Sequence, residues 1–529
     1  MGYNRRRPRR NKKRGPTERS SRSQGKDRLS HDLPRNLEKV KQEMIAFDDL
    51  VLRELKWGEK DPVAVSIAYM DGLVNRDQIN DYIVQPLLEE PGKRFSDWME
   101  EDALGWLQES VLTATEVTRA SDWNGVILPL LSGKTVVLLD GWDEALVCNT
   151  EGGEVRDIAE SLAQATRGPR DSFNESIRTN TSLVRRRIKS PNLCLETIRI
   201  GKVTQTDVAI MYIRGIANPK IVEEVRTRLN QIEIDGILET GYIEELIEDR
   251  SYTPFPTIGN TERPDTVAAN LLEGRVTIFV DGTPYVLMLP TTFLQYFQTA
   301  EDYYQRFDIS SFLRMLRLGT YFIAILGPSI YIALTTFHHE MIPSTLLISL
   351  AAQREGVPFP AVVEALIMEI TFEILREAGL RMPRYVGPAV SVVGAIVLGQ
   401  AVVEAGLISP VMVIVVSATA IASFAVPSIP IQISARLLRF LFMMTAASFG
   451  FFGMMLSLIA MFAHMTALRS FGVPYLSPFA PFILADQKDA VFRFPRWMEK
   501  ERPEWVGGKS TRVGENMQPS PPPSGETGG

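Results

Sequence analysis

Residues 437–464 read LLRFLFMMTAASFGFFGMMLSLIAMFAH, and no other feature narrows the possible folds so far. A hydrocarbon core of about 30 Å is crossed by about twenty helical residues. Three further runs are of that kind: Leu318–Phe337, Val386–Ile408 and Pro410–Ile431. Pro427 and Pro430 interrupt the third. The second is rich in small residues, with Gly394 and Gly399 suited to close helix packing. Residues 306–485 are therefore expected to form an α-helical polytopic membrane domain. Arg306, Arg314 and Arg317 precede the first span and place the residues before it in the cytoplasm. Four crossings would return the C-terminus to that side, but Arg436 and Arg439 would then face outward, against the same rule. A fifth crossing, by residues 359–377, is the alternative.

Between the first two spans lies FPAVVEALIMEITFEILREAGLRMP, residues 359–383. Carboxylates within a bilayer cost several kcal/mol and mark function by default. At 100° per residue, with Glu364 at zero, Glu369, Glu373 and Glu377 fall at about 140°, 180° and 220°. Three glutamates thus share a stripe and Glu364 lies opposite. Arg376 borders the stripe within reach of Glu373, and Glu377 reaches Arg381. Two readings stand side by side: a re-entrant or interfacial helix of salt-bridged charges, or a carboxylate ring lining a cation path built from several subunits. Gly356, Pro358 and Pro360 separate this helix from a short apolar one, Ser344–Ala352, and are candidate hinges.

The region before the spans repeats itself. VAVSIAYMDGLVN matches DVAIMYIRGIAN, so that Tyr69, Gly72 and Asn75 correspond to Tyr212, Gly215 and Asn218, a shift of 143. LLSGKTVVLLDGWDEALV matches LLEGRVTIFVDGTPYVLM, so that Gly133, Asp140 and Gly141 correspond to Gly274, Asp281 and Gly282, a shift of 141. Each half reads strand, helix, hairpin, with β-branched strands and Asp-Gly turns whose two central positions take positive φ. The fold expected is thus α+β: two repeated αβ subdomains, at 35–160 and 161–305, ahead of the helical membrane domain. A basic tail (1–34) and a polar cytoplasmic tail (486–529) flank them.

The net charge of -6 hides a split, because Met1–Ser30 holds twelve Lys and Arg against two acids. That tail has no apolar periodicity and is expected to be disordered. By charge alone it could attract anionic membrane lipids or nucleic acid, but it reads first as a solvated flank that marks the cytoplasmic side, and no nucleic acid partner is expected. Two cysteines, and four histidines of which only His338 and His339 are neighbours, offer neither a disulfide framework nor a metal site. Gly133-Lys134-Thr135 lacks the first glycine of a phosphate loop and precedes a strand. With no catalytic constellation and no cofactor motif, an enzyme is not expected. GPRDSFNESIRTNTSLVRRRIKSPNL carries Arg178, Arg185, Arg186 and Arg187. It reads either as a charged helix bridging the subdomains or as an interface for a partner or anionic headgroups.

GPRDSFNESIRTNTSLVRRRIK, TERPDTVAANLLEGRVTIFVDGTP, EDYYQRF, FHHEMIPSTLLISLAAQREGVPFP and FEILREAGLRMP together resemble the A subunit of GerA-type spore germination receptors, from about residue 40 to 500. The resemblance implies a multi-pass protein of the spore inner membrane. It would act with a permease-like B subunit and a lipoprotein C subunit, in a homo-oligomer that releases cations when nutrient binds. It supplies no established catalytic residue. Glu364, Glu369, Glu373 and Glu377 are the positions it leaves to test. The rivals are a sporulation-specific channel subunit of the same family, from the stage V operon, and a non-conducting membrane scaffold.

Overall fold

The computed structural model describes residues 28–57, 62–89, 103–114, 116–152, 159–160, 167–381, 399–503 and 512. The chain divides into two compact units, the first made largely of residues 1–45 and 49–154, the second of 155–188 and 192–529.

The first unit starts with α1 (Leu33–Glu43), β1 (Leu50–Trp57) and β2 (Val63–Met70). Helix α2 follows, running through Arg76–Ile79, Asn80–Val84 and Gln85–Glu89 with a π turn in its middle. Then come α3 (Ala103–Trp106 continuing through Leu107–Val111), β3 (Val117–Ala120), α4 (Trp123–Ser132), β4 (Thr135–Leu139) and β5 (Ala145–Cys148). The strands form one sheet in the order β1-β2-β4-β5-β3. Ile83, Leu87 and Leu107 close its core over Val65, Ile67 and Val137.

The second unit opens with a short ladder, β6 (Ala159–Glu160) and β7 (Asp171–Ser172). It continues with α5 (Ile177–Arg187), β8 (Leu193–Ile200), β9 (Thr206–Ile213), α6 (Pro219–Asn230), α7 (Thr240–Ile247), β10 (Gly259–Thr261), α8 (Pro264–Leu272), β11 (Val276–Val280) and β12 (Val286–Leu289). Its sheet runs β8-β9-β11-β12-β10, the same order as in the first unit. Alternation along β9 sends Val208 and Ile210 to the face covered by α6 and α7, and Ala209 and Met211 to the face covered by α5 and α8.

The duplication extends to hydrogen-bond register. Val65 faces Leu139 and Val208 faces Val280, positions related by shifts of 143 and 141. It also reaches elements the sequence comparison did not align. Asn36 Oδ1 accepts from Ser30 N and its Nδ2 donates to Ser30 O; Asn180 does the same with Asn174. Residues 29–34, expected within a disordered tail, therefore belong to the first repeat: Leu29 and Leu33 are buried and Gly141 N donates to His31 O. Helix α5 is likewise the second repeat's counterpart of α1 and part of its core, not a bridge.

The Asp-Gly turns differ from expectation. Both hairpins form, but Gly141 and Gly282 alone have positive φ, 91° and 89°. The aspartates cap helices instead: Asp140 Oδ1 accepts from Leu33 N and Asp281 Oδ1 from Ile177 N, each at 3.1 Å. Gly133 ends α4 in the left-handed region (φ 92°), so the Gly-Lys-Thr stretch is a helix C-cap leading into β4.

After a short helix, α9 (Glu301–Tyr304), the second unit continues into apolar helices: α10 (Phe307–Thr336), α11 (Ser344–Arg354), α12 (Ala361–Arg381), α13 (Gly399–Glu404), α14 (Pro410–Phe424) and α15 (Ile429–Ala467). Among the described residues α10 and α15 are long and apolar enough to cross a membrane. The expected span 386–408 lies mostly outside the described residues. The spans expected at 410–431 and 437–464 are divided differently, because Pro430 sits in the first turn of α15, where proline starts a helix instead of ending one.

Helix α15 is not straight. Gly450 has φ 58° and ψ -140°, and the chain folds back there. Ser457 Oγ donates to Thr445 Oγ1 at 3.1 Å, although twelve residues of straight helix span about 18 Å. Near the other end, Thr253 meets His464 while the adjacent Pro254 accepts from Ser434. The expected single span is thus a hairpin with arms of about 30 and 25 Å. Its close approach needs Gly453, where a Cβ would lie 2.3 Å from Thr445 O.

The hairpin returns the chain to the second repeat. Phe471 and Val473 complete that repeat's core. Ser470 Oγ donates to Thr257 O and accepts from Thr291 N. The described part of the expected polar tail is packed, with Arg493 and Glu499 buried and Arg512 paired with Glu273 at 3.2 Å.

Candidate functional site

Helix α12 runs antiparallel to the first arm of α15, and the two meet through a ladder of polar side chains. Glu369 Oε2 lies 2.5 Å from Arg439 Nη1, and both side chains are at most 2% exposed. Glu373 Oε2 lies 2.9 Å from Arg436 Nη1. Arg376 Nη2 donates to Gln432 Oε1 at 3.1 Å, and Gln432 Nε2 donates to Val426 O at 2.6 Å. The rungs follow helical geometry. Residues 369, 373 and 376 share one face of α12, and 439, 436 and 432 share one face of α15 in reverse order. Arg439 Nε also donates to Ala324 O, which ties α10 to the ladder.

The other acidic residues lie apart. Glu364 is fully buried: its Oε2 accepts from Ser409 N at 2.9 Å, and Arg354 Nη2 stands 3.5 Å from Oε1. It anchors the start of α14 and the end of α11. Glu377 pairs with Arg381 at 2.7 Å at an exposed position. The expected stripe therefore separates into two glutamates inside the helix pair and one outside it. Arg376 bonds Gln432 and stacks over Phe424 at 5.6 Å; no bond joins it to Glu373.

The ladder is only half saturated. Glu369 Oε1 and Glu373 Oε1 are buried without a hydrogen-bond partner, as are Arg376 Nη1, Arg436 Nε and Arg439 Nη2. An unmet buried polar atom costs about 1–3 kcal/mol, more when charged. Each of these atoms gains from admitted water or from a change of partner.

Sequence reasoning found the carboxylates and missed what holds them. Arg436 and Arg439 stood out only as a violation of the positive-inside rule. Their i, i+3 spacing inside an apolar run was the usable signal, since buried charges are paired. Gln432, Arg354 and Ser409 carried no such mark.

Gly356, Pro358 and Pro360 fall in the connection between α11 and α12, where Pro360 O accepts from Val363 N and Glu364 N. Space around Gly356 is open. The α5 arginines do not form one surface. Arg185 is 2% exposed, donates to Leu193 O and lies 4.2 Å over the Phe47 ring. Arg187 pairs with Asp171. Arg178 is exposed and Arg186 half-buried. The interface expected of all four is corrected accordingly: two of them fasten the second repeat internally.

Residues 38–505 match the family described as Bacillus/Clostridium GerA spore germination protein. Spore germination protein KA of Bacillus subtilis (strain 168) is 50% identical over 495 residues, 93% of this chain and 90% of that one. Spore germination protein GerLA of Bacillus cereus is 38% identical over 90% of this chain and 96% of its own length. The crystal structure of the N-terminal domain of the A subunit of the Bacillus megaterium spore germinant receptor GerK3 is 41% identical and aligns with 50% of this chain and 98% of that one, at a TM-score of 0.39. The family match runs through both repeats and the helices, and on that ground this chain belongs to the GerA family of spore germination proteins.

Proposed function

We propose that this chain is the A subunit of a nutrient receptor that triggers spore germination, and that its helices form, with other copies, a cation path across the spore inner membrane. The observation that carries the reading is the half-saturated carboxylate ladder inside apolar helices, centred on Glu369–Arg439. Support comes from the outward apolar faces of α10 and α15, with Ile323, Leu441, Phe452 and Ile459 all more than half exposed. In the reading, the αβ repeats and the C-terminal segment lie in the cytoplasm. A permease-like B subunit holds the nutrient and a lipoprotein C subunit completes the complex.

In this conformation Glu369 and Glu373 are committed to Arg439 and Arg436. Conduction needs the ladder to shift so that the carboxylates face water, with the 355–360 connection as the hinge. Nutrient bound at a partner acts by differential affinity for the two arrangements. The test is nutrient-triggered cation release from spores carrying Glu373→Gln. The expected result is reduced release from normally assembled complexes; unchanged release removes Glu373 from the path. The same pairing favours one second reading, a scaffold whose ladder transmits the signal without conducting. Conductance of reconstituted protein separates the two.

A further inference from the structure

We propose that Pro478–Leu484, the loop following the α15 hairpin, inserts into the boundary between lipid headgroups and acyl chains; the proposal rests on the membrane reading of α10 and α15. The loop is apolar and turned outward. Phe479, Phe482 and Leu484 are 43%, 70% and 75% exposed, and residues 474–485 contain no charged side chain. Left in water, such a tip holds an unfavourable apolar surface that a soluble loop has no reason to keep.

Its root fixes its height. Tyr475 is fully buried, with Phe293 and Phe255 at ring distances of 6.0 and 6.3 Å, and Phe293 stands 5.7 Å from Tyr321 of α10. Ala480 packs on the cluster formed by Tyr321, Ile325 and Leu438. The loop is therefore rooted on the cluster shared by α10 and α15, the helices long and apolar enough to cross a membrane, and its tip turns outward from there.

Part of the backbone is already met internally, and the remaining N–H groups of Phe482 and Leu484 suit the hydrated headgroup level and not the chain interior. Irregular chain enters lipid only if its own polar groups are met. Pro478 and Pro481 have no N–H to satisfy. Phe479 N and Ala480 N donate to Leu476 O, and Ile483 N donates to Pro478 O. A loop serving a protein partner through its backbone would leave those donors free. Exposed Arg469 and Lys488 bracket the loop in sequence, the residue type that meets headgroups at an interface.

The test uses the full chain reconstituted in phosphatidylcholine–phosphatidylglycerol vesicles, with a fluorophore on a cysteine introduced by Phe482→Cys and, in a second protein, by Leu484→Cys. The native Cys148 and Cys194 are buried thiols and are replaced by alanine. Ile323→Cys on the outward face of α10 is the control. Quenching is compared for lipids carrying a nitroxide near the headgroup, lipids carrying one deep in the chain, and aqueous iodide. The expected result is strong quenching at 482 and 484 by the shallow nitroxide, several-fold weaker quenching by the deep one, and little by iodide. Iodide quenching at both sites without nitroxide quenching, while 323 responds to lipid, overturns the loop proposal and leaves the membrane reading standing. Protection from all three quenchers means that protein covers the loop, which also overturns it. Loss of lipid quenching at 323 overturns the membrane reading itself.

Discussion

Two buried charge systems lie within the second unit, and they are built to different standards. At the foot of α10, Asp302 accepts from Thr299 N, Thr299 Oγ1, Arg314 Nε and Arg317 Nη1, using both oxygens. Arg314 also reaches Asp489 at 2.8 Å, and Tyr303 Oη donates to the same carboxylate. There only Arg314 Nη2 and Arg493 Nε lack a bond. In the ladder between α12 and α15, each buried carboxylate uses one oxygen and leaves the other unmet. A saturated network holds one arrangement, because every alternative loses bonds. A half-saturated one has less to lose by moving. The clasp around Asp302 holds the C-terminal segment on α10, and the half-met ladder fits the proposal that it is the part that shifts.

The largest expected effect tests the clasp. Arg314→Met takes one of two cations from the buried Asp302 and the arginine from the half-buried Asp489, a loss of about 3–5 kcal/mol. Hydrogen exchange across residues 486–499 should rise sharply. An unchanged exchange pattern would show that the clasp holds nothing.

The ladder tests the same principle from the other side. Glu369→Leu alone strands Arg439 and should cost about 3–5 kcal/mol, whereas Glu369→Leu with Arg439→Met should recover most or all of it. Thermal unfolding of the three proteins in one detergent gives the coupling. If the double variant is as unstable as the single, the pair is not the independent rung described here.

A half-buried carboxylate outside both systems gives a test by pH. Burial, with Glu248 and Glu239 nearby, pushes Glu244 of α7 up to about 7. Its folded value lies above its unfolded value, so its contribution to stability is complete below about pH 4.5 and is lost as pH rises through 7. Chemical denaturation should therefore show stability falling by about 1–2 kcal/mol between pH 5.5 and 8, and Glu244→Gln should flatten that slope. The smallest effect is expected at Glu377, whose exposed pair with Arg381 is worth at most a few tenths of a kcal/mol. Glu377→Gln should leave unfolding unchanged, and a large shift would mean that another copy buries it.

The repeat was legible because its turns impose residue types. Gly141 and Gly282 take backbone angles other residues avoid, and Asp140 and Asp281 each cap a helix, so both pairs persist at one spacing. Helices α1 and α5 were not legible as counterparts, because burial asks only for apolar or small residues along most of their length. The acidic helix was legible as a stripe, but its partners lie more than fifty residues away, beyond any local period. The fold-back at Gly450 left no mark in the sequence: Phe-Gly-Phe-Phe-Gly inside an apolar run reads as continuous helix. Only the backbone shows that a left-handed glycine and a second glycine at 453 make a hairpin there.

The return of that hairpin has a consequence for the order of synthesis. Phe471 and Val473 lie in the same core as Val208 and Ile278, yet nearly two hundred residues separate them from the end of β11. The ribosome finishes every strand of the second sheet well before it supplies those two side chains, and all the apolar helices emerge in between. The core is thus closed by the last arrival, and a nascent chain stalled ahead of residue 471 would expose the floor of its sheet to any protease present.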